Sequence, residues 1–230
     1  MKELNIGKFE EKIGVNFKNK DLLLEALTHR SYLNENTKWR LPHNERLEFL
    51  GDAVLELAVT RKLFSEFPEE PEGWLTVLRS SLVNYQNMAR SANDIGLASF
   101  VLLSRGEKAD SSKAHEVILA NAIEAVIGAI YLDSGFELAE KFVNDFVLVR
   151  LPEILKTRSY KDPKSELQEI IQEKLKVTPT YRVLQESGPA HDRVFEVGVF
   201  FGDDFVAQGQ GSSKQEAETD AAKTALKNQK

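Results

Sequence analysis

The chain has 230 residues, of which 42% are hydrophobic, and it contains no cysteine. This length allows one large domain or two small ones with real cores, and the lack of cysteine excludes disulfides and thiolate metal sites, which suits a reducing cytosol. The formal net charge is −6, and it divides evenly, because residues 1–161 carry 21 Lys and Arg against 24 Asp and Glu and residues 162–230 carry 9 against 12. Composition alone therefore argues against a nucleic-acid-binding protein.

The first 155 residues are predicted to be helical. No strand pattern occurs before residue 177, and a polar loop is predicted over residues 104–115. The predicted helices span residues 3–13, 21–32, 44–67, 74–95, 116–134 and 136–152. The polar segment 156–163 ends in Pro163 and is predicted to be a linker. The start of the chain lacks the apolar segment of a signal peptide and no stretch reaches membrane-spanning length, so we expect no membrane association and a cytoplasmic location.

Three carboxylates in residues 44–55 stand out. Glu45, Glu48 and Asp52 follow one another at spacings of three, four and seven, which places them on one face of a helix. No Lys or Arg stands four residues after any of them, and the surrounding residues are apolar. A solvated acidic stripe is the ordinary interpretation of such spacing. Carboxylates held against a core repel one another unless a cation joins them, and oxygen-only ligands favour a hard ion such as Mg²⁺ or Mn²⁺.

A second polar pair lies in the apolar segment 117–130. This segment is apolar almost all round, which predicts a buried helix, and Asn121 and Glu124 share one face of it. A charged group in a buried helix must be paired or must bind a metal. A structural Asn–Glu pair is one alternative, but two buried acid-bearing segments in one chain favour a shared metal site.

Together these segments resemble the ribonuclease III family of endonucleases that cleave double-stranded RNA. The segment 44–55 resembles the family signature, and residues 25–32 and 116–133 resemble its flanking conserved segments. The resemblance implies a homodimer through the catalytic domain and hydrolysis that leaves 5′-phosphate and 3′-hydroxyl ends, with Mg²⁺ as cofactor and Mn²⁺ as a substitute. The implied catalytic residues are Glu45, Asp52, Glu72 and Glu124, and the implied metal ligands are Glu48, Asp52, Asn121 and Glu124.

The last third of the chain has a different pattern. Helices are predicted over residues 164–176 and 213–227, with strands over 180–186, 193–201 and 205–210 between them. This α-β-β-β-α order resembles a double-stranded RNA-binding domain. We therefore predict a multidomain α and α+β protein, with an all-α ribonuclease III catalytic domain at 1–155, a linker at 156–163 and the RNA-binding domain at 164–230.

Three segments of this module carry the recognition pattern of such domains. Gln168 and Glu169 on the first helix can reach 2′-hydroxyl groups, and His191 lies in a loop that resembles a second minor-groove contact. The third segment begins the last helix, where backbone N–H groups and a lysine suit a phosphate; its predicted contacts are Ser213, Lys214 and Gln215. The family often has a second basic residue where this chain has Gln215, which predicts a modest affinity and a small salt dependence.

The sequence predicts a metal-dependent endoribonuclease that acts on double-stranded RNA in the processing of ribosomal precursors and in mRNA turnover. One departure supports an alternative, because the family usually has Asp where this chain has Asn121. An amide there removes a negative charge, so the alternative is a double-stranded RNA-binding protein with an impaired nuclease site. A third alternative, an all-α protein joined to an unrelated small module, requires coincidence at both ends of the chain.

Overall fold

The computed structural model describes residues 5–109, 113–158, 160–189 and 193–228. The chain divides into two compact units, Met1–Tyr160 and Lys161–Lys230. In its described residues, unit 1 is helical apart from one isolated bridge between Thr28 and Leu102. Its helices are α1 (Ile6–Ile13), α2 (Lys20–Ala26), α3 (Arg30–Glu35), α4 (Glu45–Glu66), α5 (Glu72–Val83), α6 (Tyr85–Asp94), α7 (Arg105–Ala109), α8 (Lys113–Ser134), α9 (Phe136–Phe146) and α10 (Leu151–Thr157), with 3₁₀ turns at Leu97–Ser99 and Leu148–Arg150.

Helix α8 is the centre of unit 1. It packs against α2, α4, α6 and α9, and its residues 125–130 are all buried, as the apolar pattern predicts. The expectation that no stretch is long and apolar enough to cross a membrane is wrong by length and composition, because Ala114–Ser134 has a hydropathy of 1.6. Within this segment, 61% of the most apolar window is buried inside the protein, as is typical of the core helix of a folded domain. The segment also carries the polar residues Asn121 and Glu124.

One predicted helix is interrupted by a polar residue. The helix predicted over 74–95 is two helices, because Asn84 is extended and its side chain accepts a hydrogen bond from the Asn87 N–H at 2.9 Å. The Asn84 amide also donates to the Ser81 carbonyl at 2.8 Å, so this side chain satisfies both helix ends at once. Asn side chains compete in this way with helical hydrogen bonds, which explains the break.

The helix predicted over 21–32 is broken where it meets the segment after α6. The His29 N–H donates to the Leu102 carbonyl at 3.1 Å, and the Leu102 N–H donates to the Leu27 carbonyl at 2.7 Å. These bonds replace helical ones and separate α2 from α3. The remaining corrections are a short helix, α7, inside the predicted loop at 104–115, a start of α8 at Lys113, and a division of the predicted helix 136–152 into α9, a 3₁₀ turn and α10.

Unit 2 has the predicted α-β-β-β-α order. Its elements are α11 (Pro163–Leu175), β1 (Pro179–Ser187), β2 (Val194–Phe201), β3 (Asp204–Gly211) and α12 (Lys214–Asn228). The strands form one antiparallel sheet in the order β1-β2-β3, and α12 packs on β2, β3 and α11. The core combines Leu167 and Ile171 of α11, Val199 and Ala207 of the sheet, and the buried alanines of α12. The predicted fold class is confirmed.

One buried hydroxyl in unit 2 has no hydrogen-bond partner among the described residues. It belongs to Tyr181 of β1, whose ring lies 4.8 Å from the Lys164 ammonium group. Burial, and then repulsion from the nearby Glu218 and Asp162, raise the pKa of this phenol to about 12. An unsatisfied buried hydroxyl costs about 1–3 kcal/mol, so this side chain stabilises the unit less than a phenylalanine would.

We therefore expect Tyr181→Phe to increase the free energy of unfolding of unit 2 by about 1 kcal/mol. Native-state hydrogen exchange of the β2 amides measures this change, because slower exchange reports a less populated open state. Tyr160→Phe in unit 1 is the matched control and should leave β2 exchange unchanged. Faster exchange in Tyr181→Phe would mean that the hydroxyl has a partner such as an ordered water molecule.

Candidate active site and RNA interface

The site is built where helices α4 and α8 cross at two glycines. A Cβ atom on Gly51 would lie 1.8 Å from the Glu124 carbonyl oxygen, and one on Gly128 would lie 2.3 Å from the Leu47 carbonyl oxygen. The two backbones therefore touch without intervening side chains. Since Gly51 lies between Glu48 and Asp52, and Gly128 lies one turn after Glu124, the crossing brings these carboxylates to one place.

The carboxylates of Glu48, Asp52 and Glu124 influence one another electrostatically. Burial is the main cause that raises the pKa of Glu124 to about 8, and repulsion from Asp52 and then from Glu48 adds to it. No ion pair joins Glu48, Asp52 or Glu124 to a Lys or Arg in the described part of the chain. The cluster therefore holds more negative charge than its own side chains balance.

Glu48 and Asp52 are also perturbed. Burial raises the pKa of Glu48, and repulsion from Glu45 and Asp52 raises it further, while a hydrogen bond from the Asn121 side chain lowers it. Burial and then repulsion from Glu56 raise the pKa of Asp52. The sequence pattern did not single out Glu56, although its spacing of four from Asp52 was the available signal.

The outer acids occupy different positions. Glu45 is exposed; its carboxylate lies 3.4 Å from the Arg30 guanidinium and 3.8 Å from Nδ1 of His43. Glu72 is the first residue of α5, where it accepts a hydrogen bond from the Thr76 hydroxyl at 2.9 Å. Its carboxylate contributes to none of the perturbed pKa values of Glu48, Asp52 and Glu124.

A cavity of about 630 Å³ adjoins the start of α4, and sequence reasoning missed it. Burial raises the pKa of Glu25 there, while Arg46 and His43 lower it. Glu25 lies in the flanking segment 25–32 and His43 directly precedes the signature segment 44–55, and these positions were the available signal. The lining residues are Leu22, Glu25, His43, Glu45, Arg46, Leu47, Phe49, Leu50 and Leu132.

The donor set of the cluster fits a hard divalent cation. All its donors are oxygens, and among the described residues no Lys or Arg forms an ion pair with its carboxylates. Among the described residues, no group of three or more His, Asp or Glu side chains is already arranged to hold an ion. Mg²⁺ keeps several waters and seldom has an all-protein cage, so water can complete such a site.

The predicted RNA contacts lie on two helices of unit 2. Gln168 and Glu169 are exposed on α11, and Lys214 and Gln215 begin α12 with their side chains exposed. The Ser213 hydroxyl accepts a hydrogen bond from the Glu216 N–H at 3.2 Å and so caps α12. The predicted contact His191 lies outside the described residues.

Both units match known families over most of their length. Residues 19–151 match the Ribonuclease-III-like family, and residues 163–229 match the double-stranded RNA binding motif. The fold and site thus define a helical nuclease domain followed by an RNA-binding domain.

The relatives give the same assignment. Ribonuclease 3 of Borreliella burgdorferi is 44% identical over 96% of this chain and 90% of its own length, and that of Carboxydothermus hydrogenoformans is 44% identical over 98% and 96%. A solved structure of the nuclease domain of ribonuclease III from Campylobacter jejuni, described as flexible in a region involved in dimer formation, is 42% identical and superposes with a TM-score of 0.58. The match covers 64% of this chain and 99% of that one. The chain belongs to the ribonuclease III family.

Proposed function

We propose that this chain cleaves double-stranded RNA by metal-dependent hydrolysis at the α4–α8 cluster. The proposal rests on one observation: the backbones of α4 and α8 meet at Gly51 and Gly128, which brings the half-buried Glu124 beside Asp52 and Glu48. Glu48, Asp52 and Glu124 would hold Mg²⁺, with Mn²⁺ as a substitute, and Asn121 lies at the same site. A divalent ion at such a site supplies polarisation of the scissile phosphate and a lower pKa for bound water.

The side chains of the chain have separate tasks in this reaction. Glu124 must lose its proton before its carboxylate can act as a ligand, because a protonated carboxyl group is a poor one. Water, rather than the 2′-hydroxyl, attacks phosphorus and the bond from phosphorus to O3′ breaks, which leaves the proposed 5′-phosphate and 3′-hydroxyl ends. No histidine is needed as a base for the 2′-hydroxyl. Glu45 and Glu72 act at the edge of the site, on the substrate or on water.

The direct test is cleavage of an end-labelled RNA duplex by the full chain with Mg²⁺. We expect cutting that stops in EDTA and returns with Mn²⁺, and products whose new 5′ ends accept no further phosphate from a kinase until a phosphatase has acted. Binding of the duplex without cutting under these conditions would contradict the proposal. In cells, the proposed substrates are ribosomal RNA precursors and mRNA in the cytoplasm.

An exposed apolar stripe on α4 supports a homodimer through unit 1. The stripe consists of Phe49, Ala53, Leu57 and Phe64, which recur on one side of the helix; Phe49 is 82% exposed and Phe64 is 74% exposed. Large apolar side chains grouped in this way mark an interaction surface. A second copy suits this surface, because a two-fold axis would match the pseudo-symmetry of an RNA duplex and give each strand one cluster.

We expect Phe49→Asp to convert the dimer to a monomer at micromolar concentration. Burying a phenylalanine contributes about 2–3 kcal/mol, and a two-fold interface loses both copies and gains two buried charges. Sedimentation velocity measures the change. Val149→Asp is the matched control, because Val149 is 61% exposed on unit 1 but lies outside the stripe. Equal sedimentation of the two variants would show that the stripe is not the dimer surface.

A further inference from the structure

Two cations at one end of the unit 2 sheet share a single carboxylate. The Lys214 ammonium lies 3.3 Å from Oε1 of Glu186, and the Arg193 guanidinium lies 3.7 Å from Oε2 of the same residue. The side chains of Glu186, Arg193 and Lys214 are 41%, 48% and 58% exposed. All three are therefore accessible to a ligand from solvent.

The strand register explains this arrangement. Glu186 of β1 pairs with Phe195 of β2, and Phe195 pairs with Gly211 of β3, so the three residues form one row across the sheet. Lys214 follows Gly211 by three residues and begins α12, and its ammonium lies 5.7 Å from the centroid of the Phe195 ring. The aromatic ring and the carboxylate together hold the lysine at the end of this row.

The net negative charge of unit 2 makes its local cations important for phosphate binding. Residues 162–230 carry 9 Lys and Arg against 12 Asp and Glu, so phosphate binding depends on a local group of cations rather than on the overall field. Arg193 and Lys214 form such a group beside the proposed phosphate contact at the start of α12. A carboxylate resembles a phosphate in charge and in its acceptor oxygens, so it competes for the same donors.

We propose that Glu186 is an intramolecular competitor of the RNA backbone, which occupies Lys214 and Arg193 in the free protein and limits the affinity for duplex RNA. This inference rests on the proposed binding of duplex RNA by unit 2. Each phosphate contact must replace an existing ion pair and leave Glu186 facing a polyanion. Since the two cations are already neutralised, binding releases fewer counterions, and the salt dependence is correspondingly small.

The test is duplex binding by the full chain in EDTA, measured over a series of KCl concentrations. We expect Glu186→Gln to bind the duplex about two- to fivefold more tightly at low salt, which is the effect of losing one or two exposed ion pairs. We also expect the slope of the logarithm of the binding constant against the logarithm of the salt concentration to steepen by about one. Asp203→Asn is the matched control. This substitution makes the same change in charge and frees Arg182, whose guanidinium lies 3.8 Å from the Asp203 carboxylate. Asp203 lies in the β2–β3 turn, at the opposite end of β2 from Arg193.

The outcomes separate this inference from the function on which it rests. Failure of the unchanged protein to bind the duplex would overturn the proposed RNA binding itself. Binding by the unchanged protein, with equal effects of Glu186→Gln and Asp203→Asn, would overturn only the role of Glu186. The gain from Glu186→Gln should also shrink when Lys214→Gln is already present, because one of the two released cations is then missing. An undiminished gain in that background would overturn the proposed competition at Lys214.

Discussion

Glu124→Gln is expected to lower cleavage of duplex RNA by about 10²–10⁴-fold and to leave duplex binding unchanged. The substitution keeps the shape of the side chain but removes the carboxylate that lies among Glu48, Asp52 and the crossing of α4 and α8. Binding should persist because the proposed RNA contacts of unit 2 belong to a separate unit. Single-turnover cleavage and binding in EDTA, measured on the same duplex, test the two halves of this expectation.

The same variant has a second expected effect, on the stability of the metal-free protein. The pKa of Glu124 is about 8 in the folded protein and 4.5 ordinarily, so the unfolded chain releases this proton first as the pH rises. Stability in EDTA should therefore fall between pH 4.5 and about 8 and then level off, by on the order of 2–4 kcal/mol from this group. Glu124→Gln should remove most of this slope, and Glu48 and Asp52 should retain a smaller one because their pKa values are also raised.

Tryptophan fluorescence measures the slope, since Trp39 and Trp74 both belong to unit 1. Glu137→Gln is a suitable control, because Glu137 lies on α9 and contributes to none of the perturbed pKa values of the cluster. Cleavage that survives in Glu124→Gln would place the chemistry elsewhere. Loss of cleavage with an unchanged pH slope would mean that the Gln side chain disturbs the fold rather than the charge balance.

The charge pattern predicted the carboxylate cluster because a helix imposes its own geometry. Spacings of three and four place Glu48 with Asp52, and Asn121 with Glu124, whatever surrounds them. The contact between these two helices was predicted because each carries acidic side chains in apolar surroundings, and a shared metal ion would balance the charge of both. The crossing point itself depends on Gly51 and Gly128, and glycines inside helical patterns carry no signal that says which backbone they will touch.

The helix breaks show what the pattern could not contain. The apolar period continues through Asn84, so the sequence predicts one helix there. The structure shows two helices, because the Asn84 side chain forms hydrogen bonds with Ser81 and Asn87. The break after Ala26 depends on Leu102, which lies more than seventy residues further on. Likewise, Glu186 and Lys214 are 28 residues apart in the sequence, and only the register of three strands brings them together.

Gly51→Ala is expected to destabilise unit 1 by about 3 kcal/mol or more and to abolish cleavage. The added methyl group would lie 1.8 Å from the Glu124 carbonyl oxygen and 2.9 Å from the Gly128 nitrogen, and neither backbone atom can move aside as a side chain can. The helices must separate instead. Separation moves Glu48 and Asp52 away from Glu124, so the chemistry is lost together with the packing. Thermal unfolding followed by tryptophan fluorescence should show a decrease in Tm of about 10 °C.

Gly73→Ala is the control for helix propensity. Gly73 is also in a helix, α5, but an added methyl group there would meet no atom within 4 Å, so the change should stabilise the protein by up to about 1 kcal/mol. Gly128→Ala should cost nearly as much as Gly51→Ala, because its methyl group would lie 2.3 Å from the Leu47 carbonyl oxygen. The double variant should cost much less than the sum, because the first substitution already separates the helices. Additive costs would show instead that the two glycines relieve independent clashes, and that no single close crossing of α4 and α8 holds the carboxylates together.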